Sequence, residues 1–113
     1  MTLVYKIIAA EAWAQARQDG VFTGAAIDLA DGYIHLSDAT QAEETARRHF
    51  AGQTGLVLVA FEDTSLQNLK WEASRGGALF PHVHGSIDPA SALWVKPLPL
   101  QDGAFVFPAG WRG

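Results

Sequence analysis

A chain of 113 residues with 49% apolar and 18% charged residues can bury a modest core and is too apolar to stay disordered. The net charge is −4, and the Lys and Arg residues are scattered, with only Arg47-Arg48 adjacent, which argues against a dominant nucleic-acid surface. The absence of cysteine excludes disulfides, thiolate catalysis and Cys-based zinc sites.

No internal repeat, linker or low-complexity stretch divides the sequence, so a single domain over residues 1–113 is expected. No apolar run approaches the ~20 residues of a membrane-spanning helix. The start, MTLVYKIIAA, lacks the basic opening of a signal peptide, and a cytoplasmic, monomeric protein is expected.

Leu3 to Ala9 is a β-rich apolar run interrupted only by Lys6, which predicts a mostly buried first strand. Glu11 to Asp19 predicts a helix with Ala12, Trp13, Ala16 and Arg17 on one face and Gly20 as its C-terminal cap. Residues 21–32 have no clear period and end in the turn signal Asp31-Gly32. Tyr33 to Leu36 is a short strand. Ser37 or Asp38 then caps a second helix that runs to about Phe50 and stops at Gly52, with Ala42, Ala46, His49 and Phe50 on its apolar face.

Leu56 to Phe61 is a continuous hydrophobic run and the clearest central strand. Leu69 to Ala73 and Leu79 to His84 are short strands separated by Arg75-Gly76-Gly77. Ala92 to Lys96 is another, and Pro97 and Pro99 confine the chain beyond them to an edge or a loop. Phe105 to Phe107 adds a last edge strand. Two helices in the first half followed by strands predict an α+β domain with mostly antiparallel pairing.

The residues able to carry chemistry lie in two stretches. In Tyr33 to Ser37, alternation puts Tyr33, His35 and Ser37 on one face. His35 reads either as a core histidine satisfied by backbone or as the polar floor of a ligand cleft. Ser37 reads as a plain helix cap or as a ligand contact near a helix N-terminus. In KWEASRGGALFPHVHGS, residues 70–86, Glu72 reads as a surface carboxylate paired with Lys70 or Arg75, or as a cleft carboxylate. His82 and His84 project from one face of a strand at a spacing that can chelate a metal, but two histidines make a weak signal and no metal site is expected.

Tyr5-Lys6-Ile7, Trp13, Asp31-Gly32-Tyr33-Ile34-His35-Leu36-Ser37, Gln41, Trp71-Glu72 and Phe80-Pro81-His82-Val83-His84-Gly85 together resemble the uncharacterised bacterial family called domain of unknown function 952. Tyr33 stands where Phe is common in that family, and His84 where Tyr is common. The family is similar in fold to ADP-ribosyltransferases, which implies split, mostly antiparallel sheets clasping NAD in a central cleft. The resemblance implies a catalytic pair of Glu72 and His35. It implies a cofactor-binding set of His35, Ser37, Tyr33, Arg75 and His82, with NAD or a related nucleotide as the ligand. A non-catalytic small-ligand module with the same fold is the alternative, and a His-based metal protein a third.

Overall fold

The computed structural model describes residues 2–113; the side chain of Arg75 lies outside the described residues. The chain order is β1 (Leu3–Ala9), α1 (Ala10–Asp19), α2 (Ala26–Asp31), β2 (Ile34–His35), β3 (Ser37–Asp38), α3 (Ala42–His49), β4 (Leu56–Glu62), β5 (Leu69–Ala73), β6 (Leu79–Val83), β7 (Trp94–Leu98), β8 (Leu100–Gln101) and β9 (Ala104–Phe105). Single 3-10 turns interrupt the second half at Asp63–Ser65, Arg75–Gly77 and Pro89–Ser91. The domain is of mixed α+β type, and its strand pairs are antiparallel.

β1 and β4 are apolar on both faces because both faces are covered. They pair from Leu3↔Glu62 to Ala9↔Leu56 at the centre of a sheet ordered β3-β1-β4-β7. Val4, Ile8, Val59 and Phe61 join Ile34 and Val83 of the second sheet, ordered β2-β6-β5, in one core cluster closed by Trp13, Phe22 and Ile87. The alternate residues Tyr5, Leu58 and Leu98 form a second cluster with Ala42 and Ala46 of α3 and with Trp111. The period of two along each strand thus feeds two separate cores. No helix among the described residues is long and apolar enough to cross a membrane.

The expected strands are present, with shifted ends at β7 and at the last hairpin. Gly20 caps α1 in the left-handed conformation as the sequence predicts, its N–H bonding Ala16. Two expectations on helices are corrected. Residues 26–31 form a third helix, and Asp31-Gly32 is its end: Gly32 has φ +86° and its N–H bonds the Asp28 carbonyl. This helix is too short to display a period. The helix expected to start at Ser37 or Asp38 starts at Ala42, because Ser37 and Asp38 pair instead with Tyr5 and Val4 on β1.

The segment 34–38 is shared between the two sheets. Ile34 and His35 pair with Val83 and His82 on β6, the Leu36 N–H bonds the Pro81 carbonyl, and two residues later the chain joins β1. The change of sheet occurs at Leu36, which decides which side chains meet.

Candidate functional site

Lys6 interrupts an apolar strand, and its alternation points it the same way as Val4 and Ile8, toward the core. A buried ammonium requires a carboxylate partner. Lys6 is 5% exposed and Asp28 1% exposed. Lys6 Nζ lies 2.8 Å from Asp28 Oδ2 and also donates to the His35 carbonyl at 2.9 Å. Asp28 further accepts the backbone N–H groups of Ala25 and His35. Gly24 is required here: its φ is +119°, and a Cβ at that position would sit 2.9 Å from the Asp28 Cβ. Burial pushes the Asp28 carboxyl up, but Lys6 and the hydrogen bonds from Lys6 and His35 outweigh it, so the group titrates below the usual range. Burial pulls the Lys6 amine below its usual value, and Asp28 offsets part of that.

Above this ion pair sits His35, 2.7 Å through Nδ1 from Asp28 Oδ1 and 2.9 Å through Nε2 from Asp31 Oδ2. Both ring nitrogens face ionisable oxygens, so both bonds to carboxylates form together only when the ring carries two protons. The sequence left His35 open between core and cleft. It is part-buried, with its polar atoms held by side chains of α2 rather than by backbone carbonyls.

Glu72, on β5, is positioned by the β5–β6 hairpin, which turns through the positive-φ residues Gly76 and Gly77. Its Oε1 is 2.9 Å from His82 Nδ1 and 2.7 Å from His84 Nε2. These bonds, the one from His84 first, hold the Glu72 carboxyl below its usual range. An ionised carboxylate only accepts hydrogen bonds, so these contacts require a proton on His82 Nδ1 and on His84 Nε2. His82 is 3% exposed, yet its Nε2 has no partner among the described residues. Nor is that nitrogen sealed away: the sealed and unpartnered polar side-chain atom among them is Trp13 Nε1.

Tyr33 joins the two halves. Its ring stacks on His82 with centroids 4.3 Å apart, and lies 4.7 Å from His35 and 5.3 Å from His84. His35 and His82 are themselves 5.5 Å apart edge to face. Five side chains singled out in the sequence (Tyr33, His35, Glu72, His82 and His84) therefore gather on one face of the three-stranded sheet. Glu72 bonds His82 and His84 rather than Lys70, and its expected alternative partner, the Arg75 side chain, lies outside the described residues. Beside the cluster a depression of about 190 Å³ is lined by Asp28, Leu29, Tyr33, Ile34 and Gly85, among others.

Ser37 does not join the cluster, which corrects the expectation that it faces the same way as His35. Its hydroxyl is 2.9 Å from Thr45 Oγ1 on α3, and the residue is buried on the other side of the four-stranded sheet. The alternation fails because the chain changes sheets at Leu36. Arg75, expected among the cofactor-binding residues, has its side chain outside the described residues. Among the described residues no group of three or more His, Asp or Glu is arranged to hold a metal ion. Sequence reasoning missed Asp28 and Asp31; the signal was Lys6, a lone cation in a buried strand that needed a counterion.

The residues 7–95 match the model of the family described as protein of unknown function DUF952, and the chain belongs to that family. It is similar to the protein CC0527 from Caulobacter crescentus. The crystal structure of that protein is 47% identical over 93% of this chain and 94% of its own, with a TM-score of 0.88. Its solution NMR structure is 47% identical over 93% of this chain and 91% of its own, with a TM-score of 0.82. No curated protein matches the chain.

Proposed function

We propose that the Tyr33–His35–Glu72–His82–His84 cluster binds a small polar ligand, with His82 Nε2 as the hydrogen-bond acceptor or base that meets it. One observation carries this reading: Glu72 fixes the His82 proton on Nδ1 and leaves Nε2 without a partner in a ring that is otherwise buried. A carboxylate behind an imidazole is the arrangement that orients a general base. Tyr33 covers the ring and fixes its plane.

A second reading makes this an ADP-ribosyltransferase-like domain, its split antiparallel sheets holding NAD or a related nucleotide. The gathering of Tyr33, His35 and Glu72 on one face supports it, since such chemistry needs an aromatic platform, a ribose contact and a carboxylate near the developing positive charge. One observation favours the simpler binding site: Glu72 is already engaged by two histidines.

Chemical-shift mapping with nicotinamide, D-ribose and NAD at millimolar concentration tests both. Saturable shifts at Tyr33, His82 and His84 with either small probe, lost in Glu72→Ala, support the binding site. Tighter binding of NAD with release of nicotinamide supports the transferase. No shift at the cluster with any of the three overturns both.

A further inference from the structure

We propose that β5 seats a second copy of this chain in a two-fold antiparallel β5–β5 ladder centred on Trp71, in place of the monomer expected from the sequence. β5 is the outer strand of the sheet ordered β2-β6-β5, and the phase of its hydrogen bonds is fixed at both ends. The His84 N–H bonds the Asn68 carbonyl, and the Ser74 N–H bonds the Ala78 carbonyl. Hydrogen-bonded positions in an antiparallel pair recur every second residue. Lys70 and Glu72 therefore turn their backbone groups toward β6, in the register Lys70↔His82 and Glu72↔Phe80. Leu69, Trp71 and Ala73 turn theirs outward, where they meet no partner among the described residues. β7, the outer strand of the other sheet, carries Pro97, which has no N–H to donate.

A two-fold ladder must pair outward residues with outward residues. Centred on Lys70 it sets Lys70 against Lys70, and centred on Glu72 it sets Glu72 against Glu72. Centred on Trp71 it uses Leu69, Trp71 and Ala73 together, and sets each Lys70 opposite the partner's Glu72. Opposite charges across a ladder stabilise it and like charges destabilise it. The Lys70–Glu72 positions would be non-hydrogen-bonded pairs, where side chains approach most closely. Both groups are available: Lys70 is exposed and makes no ion pair among the described residues. Glu72 gives one oxygen, Oε1, to both histidines, and its Oε2 makes no bond among the described residues. On the opposite face Trp71, 37% exposed, meets the partner's Trp71, beside Leu79, 55% exposed. The strand is thus self-complementary, the property that an isologous contact requires. The ladder keeps both histidine clusters on one face of a continuous sheet and brings the partner's Lys70 to Glu72.

So short a ladder buries less than the ~1,600 Å² of a standard stable interface, and the dimer is transient, with a Kd on the order of 0.1–1 mM. Analytical ultracentrifugation and amide NMR of the full chain from about 10 µM to about 1 mM test it. The mass should rise toward that of a dimer. The N–H groups of Leu69, Trp71 and Ala73 should shift and exchange more slowly with water, while those of Lys70 and Glu72, already turned to β6, change less. In a mixture of labelled and unlabelled chains an intermolecular NOE should join Lys70 Hα to the partner's Glu72 Hα. Lys70→Glu sets carboxylate against carboxylate at two places and should weaken the dimer on the order of tenfold, with Lys70→Gln in between. Both substitutions are at an exposed position, and the dilute spectrum should stay that of the folded chain. The proposal is overturned by a chain that stays monomeric at about 1 mM, which would leave the edge to an extended peptide of another protein. It is equally overturned by concentration-dependent shifts that fall outside β5, or by a Lys70→Glu dimer as tight as the wild type.

Discussion

Lys6 and Asp28 form an ion pair that ties the central strand β1 to the short helix α2, beneath the ring of His35. The same carboxylate receives His35 Nδ1 at 2.7 Å. The pair therefore fixes both the core and the height at which the histidine cluster sits.

Asp28→Asn keeps the shape but removes the charge, leaving a buried ammonium without a counterion. Breaking such a pair costs roughly 3–5 kcal/mol, and chemical denaturation should show a loss of that size. The paired replacement Lys6→Met with Asp28→Leu should cost less than Asp28→Asn, since it leaves no charge behind. Both variants should disturb the His35 ring resonances, because each removes the carboxylate that faces His35 Nδ1.

Ser37→Ala should behave as a structural change only. It removes the hydrogen bond to Thr45, worth roughly 0.5–1.5 kcal/mol. Urea unfolding should register that loss, while any ligand that shifts Tyr33 and His82 should bind unchanged. Weakened binding in Ser37→Ala would place Ser37 in the site after all.

The sequence made much of the frame legible. The apolar run Leu3–Ala9, broken only by Lys6, and the unbroken run Leu56–Phe61 announced the central strands, and Gly20 announced the end of α1. What stayed hidden was non-local. Six residues of α2 are too few to show a helical period, and their stability comes from Asp28 reaching Lys6 and His35. The side chain of Ser37 could not be placed by alternation, because the chain leaves one sheet for the other at Leu36. His84 is assigned a role only by the geometry that brings it onto Glu72.

Acid should weaken the fold through two carboxylates. Both Asp28 and Glu72 titrate lower in the folded protein than in the unfolded chain, where the ordinary values are 3.8 and 4.5. In the window below those values the unfolded state binds more protons, so stability rises with pH there. The stabilisation is fully present above the ordinary carboxylate range and is lost as pH falls through the folded values. Denaturation midpoints measured from neutral pH down to pH ~3 should fall, and Glu72→Gln should flatten part of that slope. A stability that does not change across the range would contradict the assignment of both groups.

The chemistry of the site depends on which nitrogen of His82 carries the proton, and long-range proton–nitrogen spectra of the imidazole rings measure this directly. At pH ~8, above the ordinary histidine range, the wild type should show His82 protonated on Nδ1 and bare on Nε2, and Glu72→Ala should release a mixture of tautomers. A proton found on His82 Nε2 in the wild type would contradict the proposed binding role, because the nitrogen assigned to meet the ligand would then be a donor with its lone pair gone.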